Sequence, residues 1–116
     1  LELLEPAQWP FTPTSLVGAV LDGVALPYVD LSGYDLRGVG FAGADLRFAS
    51  FAEADLRDAN LSGADLRDAW LAGADLRGAD LSGAAVDRAD LERARVCASA
   101  PPPGAFRGRP VVDEGC

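Results

Sequence analysis

Large apolar residues recur at every fifth position without a slip, from Leu21, Leu26 and Leu31 through Phe41, Leu46, Phe51 and Leu66 to Leu91 and Val96. Two places ahead of each stands a smaller apolar residue, first Val24, Val29, Tyr34 and Val39, then alanine from Ala44 to Ala94. The repeating unit is Ala-Asp-Leu-x-x, and an internal repeat decides the architecture before any other signal does. An α-helix cannot use this spacing, because five residues at about 100° each would turn the leucine column by roughly 140° per repeat and scatter it around the cylinder. A continuous strand fails too: side chains alternate with period two, so an odd repeat would send successive leucines to opposite faces. The chain must therefore bend once per repeat, with the alanine and leucine pointing in and the residue between them pointing out. Gly33, Gly38, Gly43, Gly63, Gly73, Gly78 and Gly83 recur two places after the column, where a corner needs positive φ.

Composition narrows the chemistry. The 116 residues suffice for one small domain or one stack of repeats. All ten cations are arginine against 18 carboxylates, and the net charge of −8 disfavours a direct grip on a nucleic-acid backbone. Histidine and lysine are missing, which removes the usual imidazole base and Schiff-base amine. No catalytic residue, cofactor or metal site is predicted. The apolar runs fall well short of the ~20 residues of a membrane-spanning helix, so no membrane partner is expected. Because Leu1 is not a start residue, the native beginning is expected to be trimmed, processed or joined to something upstream. Cys97 and Cys116 fit neither a zinc pattern nor a CxxC motif. Two free thiols in a reducing cytoplasm are the expectation, and one disulfide closing the tail is the alternative. The wealth of alanine, arginine, glycine and aspartate points to a GC-rich bacterial source.

Segments such as Ala44-Asp45-Leu46-Arg47-Phe48, Ala54-Asp55-Leu56-Arg57-Asp58 and Ala64-Asp65-Leu66-Arg67-Asp68 resemble the pentapeptide repeat family, over residues 16 to 98. The resemblance implies an all-β fold, a right-handed quadrilateral (square) β-helix with about twenty residues per coil. About four coils fit. Residues 1–15 are expected to cap the N-terminal end, and residues 99–116 to form an irregular, proline-rich tail that folds back over the last coil, runs along a side or stays a disordered linker.

With that coil, residues twenty apart stack. Phe41 and Phe51 then fall on opposite sides of one coil and are expected to fill its centre together. Asp30, Asp35, Asp45, Asp55, Asp65, Asp75, Asp80, Asp90 and Asn60 hold the outward slot, where short polar side chains accept hydrogen bonds from turn backbone. Arg37, Arg47, Arg57, Arg67 and Arg77 form ladders on two opposite sides, alternating with the aspartates. The other two sides are flatter and less charged. Trp70 takes an outward slot on one of them, and Tyr28 and Phe48 stack at a neighbouring corner, so these three are the candidate partner-binding residues.

The resemblance implies a non-catalytic structural or protein-binding module with an unidentified protein partner, as a monomer or an end-to-end dimer. Its best-understood members protect DNA gyrase and topoisomerase IV from quinolone-type drugs or toxins as acidic mimics of duplex DNA, and the negative charge agrees with that alternative. Against it stand a rod only roughly 20 Å tall at ~4.8 Å per coil, an unbroken register and arginine ladders that dilute the acidic field.

Overall fold

A computed structural model describes residues 14–116, and its repeat region is built from parallel bridges between residues twenty apart. Ser15 pairs with Asp35, Asp35 with Asp55, and Asp55 with Asp75; the same step links Ala25, Asp45 and Asp65, and Asp30, Ser50, Trp70 and Asp90. Each pairing uses the outward residue just ahead of the apolar column. The flanking amides carry the ladder, for example Leu36 N–H to the Asp55 carbonyl at 2.8 Å and Asp55 N–H to the Tyr34 carbonyl at 2.9 Å. A side is too short for more, because the chain turns immediately afterwards.

The turn is a tight one. The column residue's carbonyl accepts from the N–H three places on, as in Ala44 N–H to the Phe41 carbonyl at 3.1 Å. The third residue of that turn has positive φ, 66° at Gly43 and 73° at Gly33, as a type II turn requires. Glycine is not obligatory there: Tyr28, Phe48, Glu53, Asp58, Asp68, Arg88 and Arg93 take the same position with φ between 59° and 66°. The ladder on both sides of the corner fixes its geometry, whatever residue occupies it.

Leucine and alanine face inward together. From Leu31 to Val96 the column and its alanine partners form one buried cluster, with Leu81 half-buried against it and no buried polar side chain among the described residues. Fully burying each large member is worth about 1.5–3 kcal/mol, so this lumen dominates the favourable side of folding. Phe41 and Phe51 are both fully buried and meet edge to face, ring centroids 6.1 Å apart, filling the centre of their coil as expected.

The expected cap over residues 1–15 lies outside the described residues except for Thr14 and Ser15. Those two are already in the ladder, Thr14 accepting from Asp35 N–H at 2.8 Å. The tail is more regular than its composition suggests. Strand β1 (Arg95–Cys97) pairs in parallel with β2 (Val111–Asp113), and Asp90 bridges Arg107. Val111 N–H reaches the Ala94 carbonyl at 2.7 Å, and Phe106 packs against the buried cluster. The tail thus folds back over the last coil and pairs with it at Arg107 and Val111–Asp113, so it is no free linker, while the stretches between stay irregular. It does so at spacings of 16 and 17 residues instead of twenty, which no repeat arithmetic anticipates.

The expectation of two free thiols is overturned as well. Folding the tail back brings the Cα atoms of Cys97 and Cys116 within 5.3 Å, and the two form a disulfide. No helix among the described residues is long and apolar enough to cross a membrane.

Candidate functional site: an aromatic side on a salt-bridged rod

The outward slots divide the rod's surface into sides of different chemistry. On two opposite sides each arginine folds back onto the aspartate two places ahead in its own repeat. Arg37 donates from Nε and Nη2 to the two Asp35 oxygens at 2.8 and 2.7 Å, and Arg47 to Asp45, Arg57 to Asp55, Arg67 to Asp65 and Arg77 to Asp75 repeat the fork. The same aspartate also accepts its arginine's backbone N–H, at 3.3 Å for Arg47. Across coils Arg37 stands 3.8 Å from Asp55, and Arg57 3.8 Å from Asp75, so cations intercalate between stacked carboxylates. The fork from Arg47 holds the Asp45 carboxyl down at about 2, and Asp35, Asp55, Asp65 and Asp75 are lowered by the same kind of bond.

The Trp70 side is built differently. Its outward places are Asp30, Ser50, Trp70 and Asp90, and after the leucine come Ser32, Ala52, Ala72 and Glu92, so within the repeats neither column contains a cation, and Arg107 of the tail follows Asp90. Asp30 accepts the Ser32 N–H at 3.0 Å, and its carboxyl is lowered by hydrogen bonds to Ser32. Ser32 and Ser50 join hydroxyls across one coil step at 2.6 Å. The outward aspartates on this side therefore play the turn-bonding role predicted for them, and Asp90 does so through Glu92 N–H at 2.9 Å.

The three candidate residues come together here. Tyr28 and Phe48 are one coil apart at the corner beside this side and stack face to face, ring centroids 4.9 Å apart and planes within 4°. Trp70 stands beside them across a groove of about 610 Å³ that Ser32, Ser50, Ala52 and Asp68 also line. All three rings are solvent-exposed: Tyr28 by 73%, Trp70 by 59% and Phe48 by 47%. No residue of the 99–116 tail lines that groove, so the rings do not serve to receive it.

Two features escaped the sequence reading. Asp68 and Arg88 continue the Tyr28–Phe48 column and form a two-pronged ion pair from one coil to the next, both contacts at 2.8 Å, which lowers the Asp68 carboxyl. Their spacing of twenty was the available signal. The second is conformational: Tyr28 (φ 66°) and Phe48 (φ 59°) carry bulky rings in the left-handed region, at a cost of about 1–2 kcal/mol each.

The family described as pentapeptide repeats matches residues 41–78 and 59–95, in eight copies. A pentapeptide repeat protein of the Arabidopsis thaliana thylakoid lumen is 31% identical over 87% of this chain and 66% of its own, with a TM-score of 0.59. HetL of the cyanobacterium Nostoc sp. strain PCC 7120, involved in the regulation of heterocyst differentiation, is 33% identical over 69% of this chain and 37% of its own, TM-score 0.53. Another Nostoc PCC 7120 pentapeptide repeat protein is 36% identical over 81% of this chain and 78% of its own, TM-score 0.31. The chain therefore spans just under two thirds of the thylakoid protein and little more than a third of HetL. No curated protein sequence matches it.

Proposed function

We propose that this chain, which belongs to the pentapeptide repeat family, works as a non-catalytic protein-binding module. In this reading it is a right-handed, square β-helix of about four coils over residues 16–98, capped by residues 1–15 and 99–116, that offers its Trp70 side to a protein partner. The observation that carries the reading is the cluster of three exposed rings around one groove, on a surface whose arginines are mostly paired with carboxylates of the chain. Tryptophan and tyrosine are the side chains that most often anchor an interface. HetL's part in regulation is consistent with a family member that acts by binding. The Cys97–Cys116 bond favours an oxidising compartment over the cytoplasm, since such bonds are rare where thiols are kept reduced. With the tail over the C-terminal end, the rod is read as a monomer or as one that pairs through its other end.

The test is capture of partner by immobilised protein, wild type against Trp70→Ala. The variant should lose most of the captured partner while its Tm stays within about two degrees, as for an exposed site. A collapse of Tm would reassign Trp70 to the fold. The gyrase alternative draws on the net charge of −8. It is weakened by the paired arginine ladders, and a supercoiling assay with drug, unchanged by added protein, would end it.

A further inference from the structure

We infer that the Trp70 side takes an extended, arginine-bearing segment of its partner, with guanidinium groups laid on the faces of Tyr28, Phe48 and Trp70 and drawn to the Asp30 carboxylate. This rests on the reading of that side as the partner surface and adds the chemistry of what binds there.

Two observations support it. The first is charge. Within the repeats the two columns of this side hold Asp30, Asp90 and Glu92 with no cation, Arg107 of the tail joining only at the lower end, whereas Arg47 and Arg57 of the adjacent sides are committed to aspartates of their own repeats. Among the described residues Asp30 forms no ion pair; its hydrogen bond is to Ser32. The second is the rings: exposed aromatic faces attract cations, arginine more often than lysine, and here they border a carboxylate that a guanidinium can reach at the same time.

The lower end of the same side is occupied by the chain's own tail. The segment Arg107-Gly108-Arg109, which bends at Gly108 (φ 84°), lies against Asp90, Leu91 and Glu92. Leu91 N–H donates to the Arg107 carbonyl at 2.8 Å, and Arg109 N–H donates to Glu92 Oε2 at 2.8 Å. Arg107 takes the next place in the column of Trp70 and Asp90, and its charge, behind that of Arg88, helps hold the Asp68 carboxyl low. These hydrogen bonds are made by backbone groups of the tail, which covers the lower part of the side, and the upper part, with Asp30 and the three rings, is left open.

Blocked decapeptides of alternating proline and arginine, proline and glutamine, and proline and glutamate, titrated calorimetrically into the full chain with its disulfide intact, test this. Proline keeps all three extended. The arginine peptide is expected to bind saturably and at least about tenfold tighter than the glutamine one, and the glutamate peptide not at all. Trp70→Ala and Asp30→Asn should each weaken it roughly 2- to 5-fold. Asp80→Asn, which removes the same charge from another side, should leave it unchanged. Equal weakening by Asp30→Asn and Asp80→Asn would mean only general attraction to an acidic protein and would overturn the inference, as would equal binding of the arginine and glutamine peptides or none by either. If those failures came with partner capture that still depended on Trp70, the inference alone would fall; loss of both would remove the underlying reading too.

Discussion

The arginine sides and the Trp70 side are made from the same five-residue unit on the same backbone, yet they finish their chemistry differently. On an arginine side the outward aspartate accepts from its turn amide and from the guanidinium two places on, and that guanidinium also approaches the aspartate of the next coil. Every strong donor there is used within the chain. On the Trp70 side the place of arginine is taken by serine, alanine or glutamate, and the outward slot admits a ring. A solenoid therefore sets what a side can bind through two outward residues per repeat, while its inward residues stay constant. Exposed ion pairs contribute only about 0–1 kcal/mol each, so the arginine sides add solubility more than stability.

The largest effect should come from the part both sides share. Leu56→Asp places a carboxylate in the lumen behind an arginine side, at a fully buried position with no polar neighbour to meet it. A buried unpaired charge of this kind costs more than about 4 kcal/mol, comparable with the whole stability of a small domain. The variant is expected to unfold, with loss of the native far-ultraviolet dichroism and of the captured partner together. If partner capture survived, the two sides would not depend on one lumen and the comparison would have to be redrawn.

Acid should separate the sides more gently. The carboxyls of Asp35, Asp45, Asp55, Asp65 and Asp75 all lie below their ordinary value because arginine donates to them, Asp45 at about 2. A depressed folded-state pKa gives stability that is fully present above the unfolded-state value of 3.8 and is lost as pH falls through the folded one. Urea midpoints should accordingly hold level from pH 7 to about 5 and decline between about 4 and 2. With no histidine in the chain, no step is expected near pH 6.5. Asp45→Asn should flatten the acid limb more than Asp22→Asn, whose carboxylate accepts, among the described residues, only the Ala42 backbone N–H. An unsloped profile down to pH 2 would show that the forks are screened by solvent.

Much of this was legible in the sequence because it depends on register alone. The period of five identified the inward columns, and a twenty-residue coil placed Phe41 against Phe51, Phe48 beneath Tyr28, and Arg37 between Asp35 and Asp55. The tail was not legible, since Val111 finds Arg95 through the shape of the last coil and no repeat links them. The Cys97–Cys116 bond was hidden for the same reason: it follows from a fold-back that brings together residues 19 apart in sequence. Backbone strain was missed because turn chemistry was read from glycine, whereas at Tyr28, Phe48, Arg88 and Arg93 the ladders above and below impose positive φ on residues that would not choose it.

That strain provides the smallest effect and the finest test of the comparison. Phe48→Gly removes a ring from the Trp70 side and relieves a left-handed φ worth about 1–2 kcal/mol. Against this stand the added freedom of glycine in the unfolded chain, about 0.5–1 kcal/mol, and the lost stack on Tyr28, about 0.5–1.5 kcal/mol. The terms nearly cancel, so Tm should move by no more than a few degrees, while partner capture should fall. Asp58→Gly is the matched change at the corner beside the Arg57 side, where φ is 60° and no ring is lost. It should leave capture intact and shift Tm as little. Should Phe48→Gly cost ten degrees or more and Asp58→Gly nothing, the ring would be holding the corner together, and the difference between the two sides would be one of folding instead of recognition.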